Sequence, residues 1–352
     1  MAWPTTAADI TAEWLSDALA ARHPGVDVDR VEVVERHDLT NAHARLRVTY
    51  HRSGGAPEML FCKLPPTDER RAQIIASGMG QREARFYAEL APSIAMRVPE
   101  THVALTDDDG MFAILLEDLV TSGCEVSDGT WGIPADAAAG AIEDLAVLPL
   151  RFEDPARRAA DAPWVRVSRP SRDYAAPMLR YGVDHHRDRL TDAFVEIAEL
   201  YIDHHDELQR LWHEGPATII HGDTHIGNLF VDHGRVGFLD WGIINVNTPM
   251  RDISYFMTMA MSIEDRRANE RDLLRLYLDL RNAAGATEIT FDDAWRAHRI
   301  HAAYNVTASC QVVTFPAGMS EHRRVFSDAF LDRAQASLDD LDARGALREA
   351  GL

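Results

Sequence analysis

Residues 219–241 read IIHGDTHIGNLFVDHGRVGFLDW, and this stretch decides the fold. Its polar residues form a loop between apolar segments, which is where a rigid scaffold presents reactive groups. The apolar runs 229–231 and 236–239 flank a His233-Gly234 turn and predict a short β-hairpin. The surrounding sequence has helical periodicity, and a hairpin embedded in helices is typical of an α+β protein.

Three residues of this stretch have chemistry suited to phosphoryl transfer. Asp223 and Asn228 are five positions apart, and Asp240 ends the hairpin. A carboxylate can accept the proton of a hydroxyl group, while an amide and a second carboxylate can hold a hard cation such as Mg²⁺. Asp, Asn and Gly also favour turns, so each residue taken alone has a purely structural explanation. The whole string indicates a function.

The segments HGDTHIGN and FLDW resemble the catalytic loop and metal-binding segment of the aminoglycoside phosphotransferase and choline kinase superfamily. In that family the loop reads H-G-D-x-H-x-x-N. The resemblance implies a protein-kinase-like fold and the phosphorylation of small molecules. It also implies that Asp223 is the catalytic base, that Asn228 binds a metal and that Asp240 binds the metal–nucleotide complex. Residues 251–255 resemble the family's downstream segment, whose Asp buttresses the catalytic loop.

The patterns along the chain predict an α+β bilobal fold with a small antiparallel sheet and a large, mainly helical part, and the resemblance implies that this fold is protein-kinase-like. An N-terminal nucleotide-binding lobe is predicted at 1–118, with a leading helix at 7–22 and a core helix at about 70–91. Its five strands are predicted at 31–35, 45–50, 59–64, 99–105 and 111–116. The rest, 119–352, is predicted to carry the catalytic loop and substrate site. Its helices are predicted at 134–148, 189–213, 249–262, 270–283, 290–312 and 321–344.

The core helix predicted at 70–91 carries a carboxylate on its apolar stripe. That stripe consists of Ile75, Met79, Phe86 and Leu90. Glu83 falls on the same stripe, and a buried charge without a partner is costly.

On the strand predicted at 59–64, two-residue alternation places Lys63 on one face with Met59 and Phe61. Lys63 and Glu83 are therefore predicted to pair, with the ammonium over the nucleotide phosphates as in protein kinases. The alternative is a snorkelling Lys63 and an unrelated Glu83, with Glu58 or Glu89 doing the pairing.

Two further nucleotide contacts are predicted with less support from the residues themselves. The loop at 37–42 should cover the phosphates, but it contains no glycine, so the side chains of Thr40 and Asn41 would have to donate. The last predicted strand ends where the family's adenine-binding linker lies. The resemblance implies contacts there from backbone groups such as those of Glu117 and Leu119.

The composition excludes several classes of protein. The chain has 36 basic and 56 acidic residues and a formal charge of -20, so neither nucleic acid nor an anionic membrane is an expected partner. Its three cysteines lack metal-like spacing and suit a reducing compartment. No signal-peptide pattern or membrane-spanning run is present in the sequence, which predicts a cytoplasmic protein. The acidic surface permits a cationic substrate but more often serves solubility.

The sequence therefore favours an ATP- and Mg²⁺-dependent kinase that phosphorylates a hydroxyl group of a small molecule. The acceptor, the choice between ATP and GTP, and the oligomeric state stay open. One alternative is a metallohydrolase that uses His221, Asp223, His225 and Asp240 as ligands for Zn²⁺ or Mn²⁺. The other is a kinase-like binding protein without catalysis, which the glycine-free loop supports and the intact Asp223 opposes.

Overall fold

The structure is a computed structural model that describes residues 3–38 and 40–352. These residues form two compact units. The first contains the chain up to Val126 together with Phe230–His233 and Gly237–Ile244. The second contains Ser127–Leu229, Gly234–Val236 and Asn245–Leu352. The predicted division at residues 118 and 119 stays a prediction; the first unit continues to Val126 and also contains the two hairpin segments.

In the first unit, the described residues form an antiparallel sheet of five strands in the order β1-β2-β3-β5-β4. The strands are β1 (Asp27–Asp38), β2 (Ala42–Arg52), β3 (Met59–Leu64), β4 (Thr101–Thr106) and β5 (Phe112–Glu117). Alternating residues such as Leu46 and Leu60 face a core that also contains Trp14 and Leu15 of helix α1 (Ala12–Leu19). The predicted sheet and leading helix are confirmed, although this helix is shorter than predicted.

The core helix predicted as one element at 70–91 is interrupted. It consists of α2 (Arg71–Ser77), α3 (Met79–Arg85) and a π-helical turn at Phe86–Leu90. The break lies at Gly78, whose φ of 67° is in the left-handed region that ends many helices at glycine. The prediction of one continuous helix was therefore wrong. The apolar stripe continues past Gly78, but the left-handed backbone of this residue ends the first helix.

The second unit is mainly helical. Its helices are α4 (Ala135–Phe152), α5 (Pro155–Asp161), α6 (Arg172–His185), α7 (Asp192–Asp203), α8 (His205–Leu211), α9 (Met250–Ala260), α10 (Ile263–Ala283), α11 (Phe291–Ala302), α12 (Tyr304–Ala308), α13 (Glu321–Asp340) and α14 (Ala343–Glu349). Every residue of α9 is buried, so this helix lies at the centre of the unit. Helices α5 and α6 were not predicted from the sequence, because both are polar and α6 contains a proline.

Short strands frame the predicted loop. They are β6 (Glu125–Val126), β7 (Thr218–Ile220), β8 (Leu229–Asp232), β9 (Arg235–Phe238) and β10 (Asn245–Asn247). Strands β8 and β9 form the predicted hairpin, β6 pairs with β8, and β7 pairs with β10. The α+β class is thus confirmed. Within residues 3–38 and 40–352, no helix is both long and apolar enough to cross a membrane.

Candidate active site

The predicted catalytic loop lies between β7 and β8, and a buried carboxylate of α9 fixes its backbone. Asp252 accepts hydrogen bonds from the N–H groups of His221 at 2.6 Å and Gly222 at 2.9 Å. The Thr224 hydroxyl donates to the Asp252 carbonyl oxygen at 3.0 Å. Gly222 has a φ of 90°, which suits glycine in this turn. Helix α9 therefore anchors the loop through polar groups of three of its residues.

The Asp252 carboxyl group is buried, and burial raises its pKa to about 6. The two loop N–H groups and the Arg251 guanidinium act in the opposite direction and favour the ionised form. These hydrogen bonds are those expected of the buttressing role that the resemblance implies for this aspartate.

Asp223 itself is held by Asn228, while part of its carboxylate stays accessible. The Asn228 Nδ2 donates to the Asp223 carbonyl oxygen and to its Oδ2, both at 2.9 Å. The Asp223 side chain is 30% exposed. A carboxylate in a fixed position that solvent still reaches can accept a proton from a bound hydroxyl group.

The two histidines of the loop act as hydrogen-bond acceptors for its backbone. His221 Nδ1 accepts from the Asp223 N–H at 3.2 Å, and His225 Nδ1 accepts from the Gly227 N–H at 3.0 Å. A neutral His225 then carries its proton on Nε2, which lies 3.6 Å from Asp223 Oδ2. These hydrogen bonds assign the rings to bracing the loop, as the sequence suggested.

In the first unit, Lys63 lies between two carboxylates. Its Nζ is 2.5 Å from Glu83 Oε2 and 3.0 Å from Asp240 Oδ1. The side chains of Lys63 and Glu83 are almost completely buried, whereas that of Asp240 is 42% exposed. The predicted pairing of Lys63 with Glu83 is therefore present. Asp240 joins it, which strand and helix periodicity did not indicate.

The charges of this cluster shift each other's ionisation. Burial by itself lowers the pKa of Lys63, but the carboxylates of Asp240 and Glu83 outweigh burial and raise it. Burial raises the pKa of Glu83 to about 7, against the attraction of Lys63. Lys63 is thus held as a cation, which is the form that binds phosphate oxygens.

Asp240 begins a short turn whose backbone is unusual for a residue other than glycine. Its φ is 60°, a left-handed value that aspartate tolerates better than most residues. The next residue, Trp241, is buried and stacks on Phe86 with ring centroids 3.7 Å apart. Trp241 is therefore a packing residue that connects the turn of Asp240 with the helical segment that follows Glu83.

The predicted phosphate-covering loop is only partly within the described residues, because residue 39 lies outside them. Thr40 is exposed, and Asn41 is buried. Within the described chain, the Oδ1 of Asn41 has no hydrogen-bond partner. The roles of Thr40 and Asn41 stay predictions.

The two linker residues use part of their backbone within the protein. The Glu117 N–H donates to the Glu100 carbonyl at 2.8 Å, and the Leu119 carbonyl accepts from the Cys124 N–H at 2.9 Å. These two backbone groups are therefore already used within the protein, and the nucleotide contacts of Glu117 and Leu119 stay predictions. The Glu117 side chain instead pairs with Arg97 at 3.0 Å, a partner that the sequence analysis missed because nothing in the local pattern indicates it.

Sequence reasoning also missed an aromatic group beside the loop. The ring of His225 lies 5.4 Å from that of Phe330 and 6.2 Å from that of Tyr255. Tyr304 lies next to Tyr255, 5.5 Å away. The Arg251-Asp252-Ile253-Ser254-Tyr255 segment was the available signal, because it brings an arginine and a tyrosine next to the buttressing aspartate.

Together, the α+β fold and the loop of Asp223 define a phosphotransferase with a protein-kinase-like fold. The chain matches the model of the phosphotransferase enzyme family (APH) over residues 40–289. This match covers more than half of the sequence, so the chain belongs to that family. The resemblance found in the sequence is confirmed.

Solved structures support the fold. The chain is similar to choline kinase from Cryptosporidium parvum, with a TM-score of 0.56 and 11% identity over 91% of this chain and 92% of that chain. It is similar to choline kinase from Streptococcus pneumoniae, with a TM-score of 0.51 and 12% identity over 94% and 98%. It is also similar to a Ralstonia eutropha protein described as an aminoglycoside phosphotransferase. The TM-score is 0.51 and the identity is 14%, over 94% of this chain and 98% of that chain. No curated protein sequence matches the chain significantly.

Proposed function

We propose that this phosphotransferase transfers the γ-phosphoryl group of ATP to a hydroxyl group of a small molecule. The observation that carries the proposal is the geometry of Asp223, a partly exposed carboxylate fixed by Asn228 and by a loop that Asp252 anchors. Such a group can orient a hydroxyl group and accept its proton during transfer.

The residues present suit Mg²⁺ as the metal of this reaction. Asn228 and Asp240 offer an amide and a carboxylate oxygen, the hard donors that Mg²⁺ prefers. Both hydrogens of the Asn228 amide are used by Asp223, which leaves its Oδ1 for a cation. Within the described residues, no group of three His, Cys, Asp or Glu side chains could hold a metal alone. Mg²⁺ commonly takes only one or two protein ligands, with phosphates and water supplying the rest.

In the proposed reaction, each residue has one task. Lys63, which Glu83 and Asp240 keep in place, would bind phosphate oxygens. Asn228 and Asp240 would hold Mg²⁺, which would supply positive charge to neutralise the phosphates. The acceptor oxygen forms a bond to the γ-phosphorus as the bond to the β,γ-bridging oxygen breaks. The acceptor proton passes to Asp223, and ADP leaves.

The metallohydrolase alternative has less support. Family membership does not favour it, and His221 and His225 each use Nδ1 to accept a backbone N–H of the loop. The Nε2 of a neutral His225 then carries a proton and cannot bind a metal.

The function is tested by measuring phosphate transfer with purified protein, Mg²⁺ and either ATP or GTP against a library of hydroxylated compounds. Asp223→Asn is the control. Transfer that requires Asp223 supports the proposal. If neither nucleotide is turned over with any acceptor or with water, a binding protein without catalysis is the correct description. Ester hydrolysis without nucleotide would indicate the hydrolase.

A further inference from the structure

An apolar aromatic surface adjoins the loop that carries Asp223. It consists of Tyr255, Tyr304, Phe326 and Phe330, which are called the aromatic cluster below. His225 touches its edge, and the members follow one another at ring distances of 5.5 Å for the two tyrosines and 5.8 Å for the two phenylalanines. The cluster therefore extends continuously from the catalytic loop to α13.

Part of the cluster is accessible. Tyr255 and Phe330 are buried, whereas Tyr304 and Phe326 are half-buried and pack on them. Phe326 lies directly against the loop, because a Cβ added at Gly227 would be 3.3 Å from its Cε2. Ala308 and Val312, which are also half-buried, extend this surface. Half-exposed aromatic side chains beside a reactive carboxylate are the usual lining of a small-molecule site.

An aromatic surface can bind either an apolar body or a cation, and Arg251 distinguishes between the two. The Arg251 side chain is buried, and its guanidinium lies over the ring of Tyr304. Within the described residues its Nε has no hydrogen-bond partner. The cation–π position on Tyr304 is therefore occupied by a charge of the protein itself.

The positive charge of Arg251 is partly balanced within the protein by the carboxylates of Asp252 and Asp223. Its guanidinium already fills the position over the Tyr304 ring, so an ammonium group placed there would have to displace it. This arrangement disfavours a cationic partner on the ring.

Building on the proposed kinase function, we propose that the acceptor is an uncharged hydroxy compound whose apolar body packs on Tyr304 and Phe326 and whose hydroxyl group meets Asp223. Cationic alcohols and polyamines are poor acceptors for this protein. The transfer step is the one given above, with the acceptor proton passing to Asp223 and ADP leaving.

A matched pair of acceptors isolates the effect of charge. Choline and 3,3-dimethylbutan-1-ol have nearly the same shape, and only choline is charged. We expect kcat/KM with Mg·ATP to be at least about tenfold higher for the uncharged alcohol. A larger apolar alcohol, 2-(2-naphthyl)ethanol, should be better still. Equal or higher kcat/KM for choline, or transfer to kanamycin at a comparable rate, overturns the proposal.

A pair of variants locates the surface. Phe326→Ala should raise KM for 2-(2-naphthyl)ethanol at least about fivefold, since about one kcal/mol of contact corresponds to that change. Phe291→Ala is the matched control, because Phe291 is a half-buried phenylalanine that stacks on Trp295 outside the aromatic cluster. The proposal fails if the two variants behave alike.

Failure of this inference can be told from failure of the proposed function. Asp223-dependent hydrolysis of ATP by water reports the function without any acceptor. If that hydrolysis is present but only cationic acceptors are phosphorylated, the function stands and the acceptor class is wrong. If no acceptor is phosphorylated, saturation-transfer NMR compares binding of choline and the two alcohols. Binding that favours choline, or that Phe326→Ala leaves unchanged, overturns the inference. If ATP is not turned over at all, the proposed function fails first.

Discussion

The Lys63 cluster of the first unit and the Asp223 loop of the second unit hold their carboxylates by different forces. Lys63, Glu83 and Asp240 come from distant parts of the sequence and are joined by side-chain charges at 2.5 and 3.0 Å. The loop of Asp223 is a local segment whose backbone N–H groups converge on the single carboxylate of Asp252.

This difference indicates which changes each region tolerates. An ion-pair cluster in a buried setting depends on every charge, because removal of one leaves another uncompensated. A loop fixed by backbone hydrogen bonds keeps its shape when an exposed side chain such as that of Asp223 changes, but not when its buried acceptor changes. The following experiments test that contrast, from the largest expected effect to the smallest.

Asp223→Asn should lower kcat by at least about 100-fold, because the amide cannot accept the proton of the acceptor hydroxyl group. The backbone hydrogen bonds of the loop do not involve its carboxylate, so the melting temperature and the affinity for Mg·ATP should stay at their wild-type values. Steady-state kinetics and nucleotide titration measure these quantities. Wild-type turnover in the variant would rule out Asp223 as the base.

Lys63→Met should remove the phosphate contact and lower kcat/KM for ATP by about tenfold or more. Glu83→Gln keeps the packing but releases the ammonium, so its loss should be smaller. Because the two residues act as a unit, the double variant should be hardly worse than Lys63→Met alone.

The control for this cycle is the exposed pair Arg85 and Glu89, whose side chains lie 2.7 Å apart in the segment that follows Glu83. Arg85→Met and Glu89→Gln should leave kcat/KM unchanged, as expected for an exposed ion pair. Strictly additive losses in the Lys63 cycle would mean that the buried pair does not act as a unit.

Asp252→Asn should lower the free energy of unfolding by about 1–3 kcal/mol, because the Asn amide oxygen cannot replace both acceptors and one buried N–H loses its partner. Turnover should fall together with stability, since the loop of Asp223 loses an anchor. Urea unfolding measures the change, with Asp272→Asn on the exposed surface of α10 as the control. An unchanged free energy of unfolding would show that the loop holds its shape without this carboxylate.

The free energy of unfolding should depend on pH through Asp252. The direction of this dependence should be opposite to that expected for an aspartate in an exposed ion pair. Burial raises the pKa of this carboxyl group to about 6 from an ordinary value of 3.8. Between these values the folded protein binds more protons than the unfolded chain, so the contribution of Asp252 to the free energy of unfolding falls as pH rises.

The stability of the wild type relative to Asp252→Asn should therefore decrease as pH rises through about 6 and level off above it. Glu83 titrates in both proteins and cancels in the comparison. Thermal unfolding at a series of pH values measures the difference. A relative stability that grows with pH would mean that the loop N–H groups outweigh the cost of burial.

Residues close together in the sequence were the easiest to predict. Asp223 and Asn228 lie in one loop, and the turn-forming residues around them predict that loop without any knowledge of tertiary contacts. Strand alternation and the helix stripe also predicted the Lys63–Glu83 pair, because each pattern states which face of an element is buried.

Contacts without a periodic signal could not be predicted. Asp240 contacts Lys63 from a short turn in which the backbone of Asp240 is left-handed. Arg97 pairs with Glu117, and no local sequence pattern indicates that pairing. Gly78 is present in the sequence, but the apolar stripe continues past it. The stripe therefore predicted one helix where the structure has two.

The sequence by itself determined the class of fold, the phosphotransferase family and the loop of Asp223, because these depend on periodicity and on a short contiguous motif. Only the tertiary structure decided which groups surround Asp223. The aromatic cluster and Arg251 come from α9, α12 and α13, which are separated in the chain and meet only when their apolar faces are buried together. The specificity of such a site depends on side chains brought together by packing, and local sequence patterns do not encode that arrangement.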